Sequence, residues 1–165
     1  MSTAQLHLKT YEYNRNRTLD LLSTIEKLPN PQAVLSWRPG AGRAHIGWQL
    51  MHVAITEEIF ATERLKPERP PAFAELWPRF RGGSTPDDDV PSADVIRRIL
   101  GETREHLVST LAEYGDDRLE EIPASLAARK ITVRTVLDII GWHEPHHHGQ
   151  AHITLNLYRA AHPPA

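Results

Sequence analysis

The chain contains no cysteine. That removes disulfides, thiolate nucleophiles supplied by the protein and every cysteine-bound metal site, and it leaves the redox compartment open. Charge of one sign is also missing. Lys and Arg number 19 against 21 Asp and Glu, a formal net charge of -2. A nucleic-acid binder ordinarily shows a basic excess or stripe, so no nucleic-acid partner is expected. No apolar run approaches the about 18 residues of a membrane span, so no membrane partner is expected either. Met1 to Thr10 lacks the long apolar core of a signal peptide, which makes a cytoplasmic protein the expectation. Internal repeats, low-complexity tracts and sustained strand alternation are absent as well.

What is present is helical. The 165 residues, 40% of them hydrophobic, fit one domain over residues 1–165 with one sizeable core. Four segments carry apolar residues at helical spacing, bounded by Pro or Gly clusters. From Gln5 to Lys27 they are Leu8, Tyr11, Leu19, Leu22 and Ile25, before Pro29-Asn30-Pro31. From His45 to Leu65 they are Ile46, Leu50, Val53, Ala54 and Phe60, ended by Pro67, Pro70 and Pro71. The third segment follows Pro91 with Ser92 as N-cap, runs through Val95, Ile96, Ile99, Leu100, Leu107 and Leu111, and closes at Tyr114-Gly115. The fourth starts at Thr132, another capping residue, and reaches Ala161 through Val133, Val136, Leu137, Ile140, Ala151, Leu155 and Tyr158. The expected fold is all-α, a four-helix bundle. Its connections of roughly 17, 25 and 16 residues are far longer than tight helix hairpins use. The 66–91 stretch is a long crossover or a flap over a site, with Trp77 and Phe80 as residues that would pack on the bundle.

Histidine is abundant. There are ten, six of them between His143 and His162. His143 and His147 stand four apart, so on a regular helix their imidazoles share one face and can converge on one ion. They fall on the line Val136, Ile140, His143, His147, Ala151, Thr154, Tyr158. A facing helix of a bundle can supply a third ligand. His52, mid-helix and flanked by Met51 and Val53, is the best placed. Three imidazoles without thiolate leave coordination positions open, the catalytic rather than the closed structural pattern. Such histidines can equally be hydrogen-bonded core residues. His146 and His148 point away from the 143/147 line and read as a solvated face. His45 and His106 could reach the interior, and His152 and His162 read as surface residues. Pro145 sits between the two ligands and cannot donate to the Gly141 carbonyl. It predicts a kink or bulge, eased by Gly141, or a helix that begins anew at His143.

The run Trp142-His143-Glu144-Pro145-His146-His147-His148-Gly149-Gln150-Ala151-His152-Ile153 resembles the last-helix motif of the DinB-like superfamily, where a His, a His-His pair and a Gly-Gln follow in that order. Ile46 to Ala54 resembles that superfamily's second-helix motif. Four helices with long connections are similar to that superfamily's architecture across nearly the whole chain. Pro145 is a departure from the pattern. The resemblance implies a three-histidine metal site of His52, His143 and His147. It also implies kinship with S-transferases that use bacillithiol, mycothiol or glutathione, with proteins described as metal-dependent hydrolases, and with many of unknown function.

Three functions follow as expectations. A transferase would place a low-molecular-weight thiol on the ion, its pKa lowered by the cation, to attack a small-molecule electrophile. That suits a chain with no cysteine of its own. A hydrolase would need a carboxylate base beside the ion, and the nearest by sequence are Glu144, Glu57 and Glu58. A non-catalytic bundle would bind metal or pair as a homodimer through an exposed helix face. Gln150 and Tyr158 lie near the ligand stripe. Arg15, Arg43 and Arg134 are the cations to inspect for an acidic thiol. Three imidazoles suit Zn, Ni, Fe, Mn or Co, with Zn first and Ni next. No catalytic side chain is assigned.

Overall fold

Ser2 opens the first helix with a reciprocal cap: its hydroxyl accepts from the Gln5 amide, and the Gln5 side chain accepts from the Ser2 amide. The structure is a computed structural model and describes residues 2–163. Helix α1 is Thr3–Glu26 and ends before Pro29. Asn30 caps the short α2, Pro31–Ser36, whose proline occupies the first turn where no amide is needed. Helix α3 is Ile46–Ile59, capped by His45 and extended by a π turn, Phe60–Arg64. The short α4, Trp77–Phe80, lies in the long connection. Helix α5 is Ala93–Leu111, capped by Ser92, and α6 is Val133–Ala161, capped by Thr132.

The four long helices form a bundle in which α3 packs on α5 and α6 and α1 packs on the same two. There is no strand among the described residues. The expected connections are thus partly helical: α2 and α4 pack against α3, α4 bringing the Trp77 and Phe80 that were expected to pack on the bundle. With neighbours on several sides, α3 is buried almost all round. Leu50, Met51, Ala54 and Ile55 are shielded from solvent, and so are the polar Gln49, His52, Glu57 and Glu58. Buried polar groups must be paired, and on α3 each one is. One expectation fails at Val95, which is exposed. The α5 stripe runs through Ile96, Ile99, Leu100, Thr103 and Leu107, and Val95 lies about 100° around the helix from Ile96. No helix of the described residues is long and apolar enough to cross a membrane.

Charges also bind the bundle together. Arg15 on α1, Glu57 on α3, Arg104 on α5 and Glu144 on α6 form a buried ring of alternating sign, one residue from each long helix. Arg15 Nη2 lies 2.9 Å from Glu57 Oε1 and Arg15 Nε 2.8 Å from Glu144 Oε1. Arg104 closes the ring, with Nη2 2.6 Å from Glu144 Oε2 and hydrogen-bonded to Glu57. Burial alone would push the Glu57 carboxyl up. The Arg15 and Arg104 guanidiniums beside it reverse that and hold it below the usual carboxylate range. The ring joins Glu144, the residue after His143, to Glu57, five residues after His52. It therefore sets the register of α3 against α6 where the histidines meet.

Pro145 neither breaks the helix nor restarts it, since α6 is continuous from Val133 to Ala161. The carbonyl it deprives of a donor, Gly141 O, accepts instead from the Asn14 side-chain amide of α1 at 3.3 Å. A Cβ on Gly141 would stand 3.4 Å from Tyr11 Cε1, at the edge of ordinary van der Waals contact. Tyr11 in turn donates its hydroxyl to Leu137 O. Asn14→Ala removes the substitute donor without touching the histidines. We expect a loss of about 1 kcal/mol, read as a lower urea midpoint at unchanged m-value.

Candidate metal centre

His52 and its helix neighbours are oriented before any ligand arrives. His52 Nδ1 lies 2.6 Å from Phe80 O. A carbonyl only accepts, so neutral His52 carries its proton on Nδ1 and turns the Nε2 lone pair inward. The ring stacks on Trp48, centroids 4.6 Å apart and planes 10° from parallel. Trp48 Nε1 donates to Arg79 O and Ser84 Oγ. The segment around α4 lies against the candidate site, where a Cβ on Gly82 would stand 3.9 Å from His52 Cε1. It is bolted to α3, with Phe80 buried, and its backbone holds a candidate ligand.

His143 and His147 arrive from α6 on one face, as four-residue spacing requires. His143 Nε2 lies 3.1 Å from His52 Nε2. Two donors about 2.0–2.1 Å from one ion stand about 2.8–3.4 Å apart between right-angled and tetrahedral geometry, so this pair is spaced to share one. His147 directs Nδ1 at Gln49 Oε1, 2.5 Å away, which frees its Nε2. The donor atoms of His52, His143 and His147 all lie within 4.8 Å of one another, and no other His, Cys, Asp or Glu joins the group among the described residues. Burial lowers the pKa of all three. His143 and His147 are pushed down to about 3, first by burial and then by their histidine neighbours. Neutral imidazole is the metal-binding form. The three ligand groups are buried, the His143 residue as a whole being the least so. The donor set, its tautomers and its spacing therefore fit a divalent transition metal.

The DinB superfamily profile matches residues 10–151. The chain belongs to the DinB superfamily. No curated protein and no solved structure matches it. In this DinB-superfamily bundle the match takes in all of α3 and α6 as far as Ala151, with His52, His143 and His147 inside it.

The other residues singled out in the sequence go elsewhere. Glu57 and Glu144 belong to the buried ring, and Glu58 accepts from His106 Nδ1 and from the Ala72 amide. Arg15 is in the ring, and Arg134 pairs with Glu120. Tyr158 stacks on His162 and meets Trp37 edge-on, about 16 Å along α6 from His147. Gln150 hydrogen-bonds the exposed His146, whose ring stacks on Trp142, and is also close enough to act on His147. His45 is buried as the α3 cap, accepting from the Trp48 amide while its Nε2 bonds Asp87 O. His148 is half-buried, with Nδ1 shielded and unpartnered, rather than fully solvated. His152 and His162 are exposed, as expected.

Sequence reasoning missed Gln49 and the Phe80 carbonyl. Gln49 precedes His52 by three, hence on the same helix face, a signal available in the sequence. The carbonyl left none, because any residue carries one. Gln49→Leu should keep the fold and weaken metal binding about 10–100-fold. Competition against a chromophoric chelator would read this, and unchanged affinity would deny Gln49 its orienting role.

Proposed function

We propose that this DinB-superfamily protein is a metal-dependent S-transferase joining a low-molecular-weight thiol to a small electrophile. One observation supports it over hydrolysis. The carboxylates that could serve a water nucleophile as base, Glu57, Glu58 and Glu144, are all buried and held by Arg15, Arg104, His106 or the Ala72 amide. A nucleophile that brings its own acidic proton does not need them. Zn is the first choice for three imidazoles with open positions, and Ni the next. A divalent ion there would lower the pKa of an incoming thiol and favour thiolate at neutral pH. The chain's own part is to hold three neutral imidazoles together, with the tautomers of His52 and His147 fixed through Phe80 O and Gln49. In the reaction a sulfur–carbon bond forms, the thiol proton passes to solvent, and the leaving group departs with the electrons of the bond it loses.

The test is a paired screen of Zn- and Ni-loaded protein. Low-molecular-weight thiols with aryl halide or epoxide acceptors form one arm, and esters and amides without thiol form the other. Metal-dependent thioether formation supports the transferase. Ester or amide cleavage that needs metal and no thiol overturns it.

A further inference from the structure

Helix α6 is patterned on two faces. The inner one, with Val136, Ile140 and His147, is buried in the bundle. The opposite face repeats every seven residues along two adjacent lines. Thr135, Trp142, Gly149 and Asn156 form one, and Ile139, His146, Ile153 and Ala160 the other. None of these is Asp, Glu, Lys or Arg. A solvated helix face ordinarily carries such charges. That of α5 does, with Asp94, Arg98, Glu102 and Glu105 all exposed. On α6, Trp142 and Ile153 are each 61% exposed, and Leu157 beside them is exposed too. Leu6 of α1, also exposed, lines a shallow cavity with Trp142 and widens the apolar patch. Gly149 stands mid-seam, where a Cβ would meet nothing within 4 Å. Packing within its own chain therefore does not call for a glycine there.

We infer that the outer face of α6 is the contact between two copies of this chain, paired antiparallel across a two-fold axis at mid-helix. Uncharged residues alternating three and four apart make the seam along which helices pair. The antiparallel register that lays one line on the other sets Trp142 against the partner's Ile153 and His146 against the partner's Gly149. It also sets Ile139 against the partner's Asn156 and Thr135 against the partner's Ala160. Large meets small at the centre. The His146 ring, held by stacking on Trp142 at 4.6 Å and by Gln150, takes the space that Gly149 leaves. The flanking charges decide both the direction and the occupant. Asp138 and Arg159 lie on the same edge of the seam, and this register brings each Asp138 opposite the partner's Arg159. A parallel pairing would set like charges on each other. The face is thus complementary to itself, as a two-fold interface requires. From Thr135 to Ala160 it runs about 38 Å. It lies on the side of α6 away from His147, so pairing leaves the metal centre as it is.

Sedimentation velocity of the full chain over about 1–100 μM tests it, and the parent should show a dimer in that range. Ile153→Glu puts a carboxylate in the seam without touching the chain's own core. It should weaken the dimer at least about tenfold, with helicity and metal content unchanged. Asp138→Arg and Arg159→Asp should each weaken it about three- to tenfold, and the double reversal should restore it. Because the chain has no cysteine, the register can be read directly. Thr135→Cys chains mixed with Ala160→Cys chains should cross-link on treatment with diamide, and neither alone should. A parent that stays monomeric throughout overturns the inference. So does a dimer indifferent to Ile153→Glu, which would place the contact on another face. Thr135→Cys chains that link to themselves, or a double reversal that fails to restore the dimer, would overturn the antiparallel pairing.

Discussion

Tag-free protein incubated with Zn or Ni will carry about one ion per chain, and His147→Ala will carry none. The effect is large because His147 is not one ligand among many. Three imidazoles are the whole donor group among the described residues, and a site with two protein ligands left rarely holds a metal against dilution. His52→Ala should lose the ion as completely, since its Nε2 is the atom His143 faces. His146→Ala, which alters an exposed ring stacked on Trp142, should leave the stoichiometry unchanged. Elemental analysis after gel filtration reads all of these. Binding to the native state alone would also raise the melting temperature with metal concentration, and that rise should vanish in His147→Ala. A parent chain that stays metal-free after incubation with both ions would reduce the cluster to hydrogen-bonded core histidines.

Arg15→Leu will destabilise the fold by about 3–5 kcal/mol, the usual cost of stranding one partner of a buried ion pair. Glu57 and Glu144 would then share a single guanidinium, that of Arg104, in a shielded place. The same ring dictates the pH response. Arg15 and Arg104 more than offset burial and hold the folded pKa of Glu57 below its ordinary value of 4.5. A depressed carboxylate stabilises the fold fully above the unfolded pKa and loses that stabilisation as pH falls through the folded one. The parent's urea midpoint should therefore be flat near neutrality and decline below about pH 4.5. Glu57→Gln should be less stable at pH 7 and decline less steeply in acid. Parallel acid profiles for parent and Glu57→Gln would show that the ring does not govern acid unfolding.

The four long helices were legible in the chain because their signals are local. Ser92 and Thr132 cap where they were expected to, and helical spacing of Leu, Ile and Val marks a buried face whatever it is buried against. The His143/His147 pairing was legible for the same reason, since a four-residue step sets a shared face by helix geometry alone. His52 could be nominated as a third partner because it sits in an apolar mid-helix run, and the family motif pointed the same way.

What only the tertiary structure decided are the relations between helices. Arg15 reads in sequence as an available cation, and Glu57 and Glu144 as available bases. Packing α1, α3, α5 and α6 together neutralises all of them in one ring. Pro145 reads as a kink, a bulge or a fresh helix start, because no local rule reveals that Asn14 of another helix will satisfy the orphaned carbonyl. The tautomers of His52 and His147 depend on Phe80 O and Gln49, partners 28 and 98 residues away. Sequence periodicity says which face of a helix is turned inward. Which groups meet there depends on the rotation and register of separate helices, and those follow from packing and charge pairing across the whole bundle.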